Sequence, residues 1–160
     1  MPVYSFREAL PSDREFLANN LRAADVREVF ASSGPVSMLA ILEESSEGSD
    51  ECLVAVDQDD QPLFIMGISM VVDSAVIWGM GTNRIDNEYT YSFLRESREI
   101  IASWFERFQC EHMFNFIHAD NEVHLRWIKW LGAEVFEPVR WGVRSELFRP
   151  FKISKERYNV

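Results

Sequence analysis

The chain has 160 residues, 47% of them hydrophobic and 13% aromatic. That suits one domain with a buried core and is too apolar for a disordered chain. There are 26 acidic and 16 basic residues, a net charge of −10, which argues against nucleic acid as a partner, since that affinity comes from Lys and Arg meeting phosphate. Uncharged runs such as Gln61–Val72 fall well short of the ~20 apolar residues of a membrane helix. Cys52 and Cys110 make no disulfide framework, and no basic-then-apolar secretory segment is visible at the N-terminus. An intracellular or phage-encoded soluble protein is expected. The acidic surplus is concentrated: residues 1–62 hold 13 acidic and 4 basic side chains, against 13 and 12 in 63–160. It serves solubility or forms an acidic face for a basic partner. Arg149, Lys152, Lys155 and Arg157 make the one basic stretch, which reads as a solvated tail.

Val3–Ala9 alternates as a short strand. Ser12 with Glu15 has the spacing of a capping box and opens a helix carrying Phe16, Leu17, Leu21 and Ala24. Asp25 with Glu28 repeats that signature before Val26, Val29 and Phe30, and Ser32–Pro35 ends the second helix. A third helix runs from Val36 to about Glu44, and the polar stretch Glu43–Glu51 reads as a loop. Cys52–Val56, Leu63–Val72 and Ala75–Met80 form three strands joined by the turns 57–62 and 73–74, an antiparallel meander apolar enough to be covered on both faces. Gly81–Glu88 reads as a loop. Tyr89–Gln109 carries Leu94, Ile101, Trp104, Phe105 and Phe108 at three- and four-residue steps, an amphipathic helix. Met113–Ile117 is a strand. Asp120 caps a helix bearing Leu125, Ile128 and Leu131, with Gly132 at its end. Ala133–Phe136, Gly142–Phe148 and Phe151–Ile153 supply the last strands. This order predicts an α/β fold with a mixed, mainly antiparallel sheet flanked by helices. It forms one domain over 1–160, with a tail from about residue 150.

The meander, the long helix directly after its last strand, and the segment NFIHADNEVHLRWIKWLGAEVFE together resemble the Gcn5-related N-acetyltransferase (GNAT) family. The run Asn121-Glu122-Val123-His124-Leu125-Arg126, followed by Trp127-Ile128-Lys129-Trp130-Leu131-Gly132-Ala133, also resembles the internal virion protein family of T-odd podophages. That likeness covers roughly residues 50–150. It implies a GNAT-like fold in a phage accessory protein of virion assembly or DNA ejection, located in the virion or the host cytoplasm.

The resemblance further implies a coenzyme A site whose chemistry can be compared with these residues. The family cradles a pyrophosphate on a glycine-containing turn and a helix N-terminus. Thr82–Tyr89 contains no glycine, and Asp86 and Glu88 repel phosphate, which leaves Arg84 as the phosphate partner. Alternatively, Asp86, Asn87 and Glu88 cap the following helix. The family's proton-donating Tyr falls on Ile128, which has no proton to give. Tyr89 and Tyr91 either replace it or pack the helix. Asn121 either meets the cofactor's pantetheine arm or joins Asp120 in starting a helix. For the proton-transfer role, the candidates are His118, His124 and the Glu residues of the meander edge. His118, beside Asp120 after a strand, is the leading one.

Other chemistries are absent from the pattern. The Gly-x-Ser at 67–69 lies inside a strand and makes no nucleophile elbow, and the histidines lack metal-ligand spacing. Trp127 and Trp130, three apart on a helix, are either packing or a contact surface for a protein partner. Three functions remain open. The first is a non-catalytic phage accessory acting through virion or host proteins, with no cofactor, through the acidic half and Trp127 and Trp130. The second is an acetyl-CoA-dependent N-acetyltransferase with Arg84 and Asn121 at the cofactor and His118 or Tyr89 in proton transfer. The third is an effector that binds a host protein.

Overall fold

The computed structural model describes residues 4–159. The strands are β1 (Tyr4–Glu8), β2 (Glu51–Asp57), β3 (Pro62–Val71), β4 (Ser74–Gly81), β5 (His112–His118), β6 (Glu134–Val135), β7 (Val139–Trp141) and β8 (Glu146–Ser154). The helices are α1 (Pro11–Ala18), α2 (Ala23–Ser33), α3 (Met38–Glu47), α4 (Asn83–Glu88), α5 (Thr90–Phe108) and α6 (Glu122–Trp130), and a 3₁₀ turn, Lys155–Tyr158, follows β8. The sheet order is β1-β2-β3-β4-β5-β8-β6, with β7 also on β8. Every pairing is antiparallel except β4 with β5. The mixed, mainly antiparallel sheet flanked by helices is the architecture that the element order predicts. Among the described residues, no helix is long and apolar enough to cross a membrane.

Both faces of the sheet are covered. Phe64, Met66 and Ile68 of β3 face Phe93, Ile101, Trp104 and Phe105 of α5 and Leu125 and Ile128 of α6. The alternate residue Ile65 joins Leu17, Val29 and Leu42 of α1, α2 and α3. This is why β3 reads as an unbroken apolar run: neither face meets water.

The parallel contact of β4 with β5 positions the site. It spans three residue pairs, Ser74–Val76 against His112–Phe114. Beyond them the ladder ends. Asn115 instead donates from its side-chain amide to the Ile77 carbonyl at 2.8 Å and accepts from the Phe116 N–H at 2.8 Å. From there to Gly81 and His118 the two strands are unpaired.

Several sequence expectations shift. The strand expected at Val3–Ala9 is seen as Tyr4–Glu8, Val3 lying outside the described residues. Ser12 is not the first cap: α1 starts at Pro11, and Asp13 accepts the Leu10 N–H at 2.7 Å. The polar stretch after Glu43 continues α3 to Glu47, because glutamates favour helix and only one face needs apolar cover. Gly142–Phe148 is not one strand. Gly142 and Ser145 take positive φ, so a turn separates β7 from β8. Gly142 lies so close to α2 that a Cβ there would stand 2.7 Å from the Ala31 carbonyl. The basic stretch is not a solvated tail, since Arg149 and Lys152 belong to β8. Tyr158, beyond β8, donates to the Leu131 carbonyl and stacks near Phe105.

Candidate functional site

The unpaired stretch between β4 and β5 opens into a cavity of about 460 Å³ reaching from α2 and α3 on one side of the sheet to α6 on the other. Gly79 lies on its wall. The hairpin register makes Leu63–Thr82 a hydrogen-bonded pair, because the Thr82 N–H donates to Leu63. Strand alternation then turns the backbone groups of residues 81, 79 and 77 toward β5. Those of Gly81 are taken by α2: Arg22 N–H donates to its carbonyl at 2.8 Å, and its N–H donates to Asp25 at 2.8 Å. The Ile77 carbonyl is taken by Asn115. Between them, the Gly79 N–H and carbonyl face the cavity, and no side chain among the described residues hydrogen-bonds to them. Phe64 and Trp127 pack so closely on Gly79 that a Cβ would meet them at 2.7 and 3.3 Å, so glycine lets the two rings lie against the strand here.

Beside that edge, α2 and α6 bring five polar residues together. Asp25, 1% exposed, accepts from Arg22 Nε at 3.0 Å, Gly81 N–H, and Asn121 Nδ2 at 3.1 Å. Asn121 also caps α6 through its oxygen, which accepts the His124 N–H at 3.4 Å. Glu28 accepts the His118 N–H at 2.8 Å and lines the cavity. His124, 4% exposed, also lines it. Its Nε2 lies 3.7 Å from Asp25 and its Nδ1 3.8 Å from Glu28, both beyond hydrogen-bond reach, and Nε2 has no partner.

Burial works against charge on both members of the Asp25–His124 pair, and their mutual attraction overcomes it. For Asp25, the positive charges of His124 and Arg22, with hydrogen bonds from Gly81 and Asn121, hold the carboxyl below its ordinary pKa. For His124, Asp25 and Glu28 hold the imidazolium above its ordinary pKa. The pairing favours the charged form of the ring, whose Nε2 has no acceptor among the described residues.

Of the residues singled out from sequence, Asn121 and His124 join this cluster, Asn121 with both its polar groups engaged. His118 is buried with its Nε2 against Glu146 at 2.9 Å and does not line the cavity. Tyr89 is buried against Tyr4 and does not line the cavity. Arg84 lies in α4, where its guanidinium donates to Asp57 at 2.8 Å and Glu88 at 2.9 Å. Trp127 is no contact surface: it is 7% exposed, its indole donating to Ser97 in the core. Three residues of helical spacing turn Trp130 outward, to 49% exposure, with Arg98 over its ring. Sequence reasoning passed over Asp25 and Glu28 because their spacing imitates a helix cap, whereas α2 begins two residues before Asp25. No group of three or more potential ligands is placed to hold a metal among the described residues.

No family model matches the sequence, and no curated protein matches it. Solved structures do. A spermidine N-acetyltransferase from Vibrio cholerae, solved in complex with CoA and spermine, aligns over 98% of both chains with a TM-score of 0.71 and 11% identity. A GNAT-family acetyltransferase from Bacillus anthracis aligns over 98% of this chain and 99% of its own, with a TM-score of 0.71 and 8% identity. A ribosomal-protein-S5-alanine acetyltransferase from Vibrio fischeri covers 99% and 98%, with a TM-score of 0.66 and 13% identity. The fold is that of the GNAT acetyltransferases.

A GNAT fold raises the question of coenzyme A, and the residues answer it in two halves. The open edge at Gly79 fits an extended arm carrying amides, which would complete the ladder that β5 leaves unfinished. The diphosphate has no comparable cradle, because the segment after β4 is the short helix α4, without glycine and with carboxylates at 86 and 88.

Proposed function

We propose that the protein is an N-acyltransferase that takes an acyl-pantetheine thioester, as acetyl-coenzyme A presents, and passes the acyl group to a cationic amine. One observation carries this reading: the buried His124, beside Asp25 and with an unpartnered ring nitrogen, on the wall of a cavity between parted strands. Buried titratable groups without full satisfaction are costly, and they concentrate where chemistry is done. Acetyl-coenzyme A, when bound, supplies a thioester at the end of an amide-bearing arm. Gly79 pairs with that arm. His124 holds the proton that the departing sulfur needs, the part a tyrosine plays elsewhere in the family. Glu28 faces the same space and takes the proton that the incoming ammonium must lose. The cavity wall includes the carboxylates of Glu28 and Glu44 and no Lys or Arg, which favours a cationic acceptor. Acetyltransferases of similar structure are named for spermidine, for a ribosomal-protein alanine and for an aminoglycoside.

Thiol release from acetyl-coenzyme A, followed with each of those three amine classes, tests the proposal. Turnover with at least one is expected, and His124→Gln lowers kcat by about 100-fold or more, the usual worth of a positioned proton donor. No amine-dependent release with any of the three, or a His124→Gln variant as fast as the parent, rejects it.

A second reading has its own support. In α4, Arg84 is closed on Asp57 and Glu88, and Asp86 on Arg22, as suits a scaffold that has given up its cofactor. On that reading the protein acts through protein contacts in phage virion assembly or DNA ejection, in the virion or host cytoplasm, with the half-exposed Trp130 on its contact surface. Absence of heat with acetyl-coenzyme A, together with capture of Trp130-dependent virion partners, would favour it.

A further inference from the structure

Resting on the transferase reading, we infer that this site recognises its acyl donor by the amide arm alone and makes no use of a diphosphate, so that a bare acyl-pantetheine thioester binds as well as acyl-coenzyme A. An arm paired with Gly79 and running toward the C-terminal end of β4 emerges over α4 and the start of α5. Phosphate oxygens at that point need hydroxyls, guanidiniums or free N–H groups on closely approaching backbone. Both guanidiniums and the three hydroxyls nearest this point are already engaged. Arg84 donates to Asp57 and Glu88, and Arg22 to Asp86 at 2.8 and 3.0 Å. The hydroxyls of Thr90 and Ser92 turn back to the carbonyls of Asp86 and Tyr89. Thr82 gives both its N–H and its hydroxyl to Leu63, at 2.9 and 3.0 Å. Backbone cannot wrap a phosphate closely here either, since no glycine lies between Gly81 and Gly132. Asp86 and Glu88 add like charge to what a diphosphate brings, in a chain whose net charge is −10.

The arm's side of the cleft is the opposite case. There the Gly79 edge is open, and the wall is apolar along Val76, Ile117 and Ile128. An uncharged arm gains hydrogen bonds and burial without meeting α4.

Calorimetric titration of the full chain with acetyl-coenzyme A and, separately, with S-acetyl-pantetheine decides the matter. The dissociation constants are expected to agree within about threefold. Glu88→Gln, at an exposed pair on α4, should tighten acetyl-coenzyme A by about two- to fivefold, the worth of one surface charge contact, and leave S-acetyl-pantetheine unchanged. Acetyl-coenzyme A binding about tenfold or more tighter than S-acetyl-pantetheine overturns the inference and leaves the transferase reading standing. Heat from neither ligand overturns both.

Discussion

Arg22 and Arg84 each hold two carboxylates near the C-terminal end of β4, in opposite settings. The Arg22 side chain is 5% exposed and grips Asp25, which is fully buried, and Asp86. Arg84 is 41% exposed and grips Asp57 and Glu88 at the rim. The rim cluster is closed: two carboxylates satisfy one guanidinium in partial contact with water. The buried cluster is larger and left incomplete. It draws in Asn121 and His124 from a helix about a hundred residues away and still leaves His124 Nε2 unpaired beside a cavity. Closed surface pairs contribute little and ask for no function. A buried charged group lacking its last partner carries a desolvation cost that packing alone does not repay. The difference separates architecture from chemistry within a few residues of the same strand.

The largest expected effect comes from removing the keystone of the buried cluster. Asp25→Ala leaves the charges of Arg22 and His124 and the Gly81 N–H facing a hole. The loss should be about 3–5 kcal/mol, the usual consequence of stripping one partner from a buried ion pair. Denaturant midpoints at neutral pH measure it. A loss under about 1 kcal/mol would place Asp25 among ordinary surface pairs and end the contrast with Arg84.

The next effect is smaller and has a sign. The folded-state pKa of His124 is raised above its ordinary value of 6.5. Its contribution is therefore complete below pH 6.5 and is lost as pH rises through the raised value. Asp25 is lowered below 3.8, so its contribution is complete above that pH and lost as pH falls through the lowered value. The cluster thus supports the fold best between these limits, with Asp25 and Glu28 of α2, and Arg22 just before it, facing His124. Unfolding free energies of the parent should decline on the alkaline side, and His124→Gln should flatten that decline. A parent profile as flat as the variant's would mean that His124 is neutral in the folded protein.

These are also the residues that the sequence hides best. The meander, α5 and the final strand-helix unit show in the pattern because burial imposes period two or three-to-four on runs of Phe, Ile, Leu and Trp. Asp25 and Glu28 show only a spacing, and a helix cap explains that spacing without a site. His124 sits beside Leu125 and Trp127 in the same amphipathic stripe, where a histidine in a core and a histidine on a cavity wall look alike. Only the parting of β4 from β5 distinguishes them. That parting rests on one side chain, Asn115, substituting for a ladder bond, which no periodicity reports. Helix α4 is missed for the converse reason. Its residues Asn83–Glu88 bury Ile85 alone, so there is no stripe to read, and its order comes from ion pairs to residues far away in sequence.

The smallest effect is expected at the rim, where the contrast can be made sharpest. Arg84→Ala removes the guanidinium from Asp57 and Glu88 together. Asp57, its side chain 7% exposed, keeps two backbone donors on its other oxygen, from Asp59 and Gln61 at 2.9 Å each. Glu88 is 43% exposed and rehydrates freely. The loss should stay below about 1 kcal/mol, as for other exposed pairs, and should shrink further with added salt as screening weakens the parent's own contact. If Arg84→Ala instead costs as much as Asp25→Ala, then α4 depends on Arg84 for its order, and the segment after β4 is held by charge. If the loss is small, α4 is held by Ile85 and by the Asp86–Arg22 pair. Its carboxylates then stand at the mouth of the cleft whether or not Arg84 faces them, and it is their charge that any anionic ligand entering along β4 has to meet.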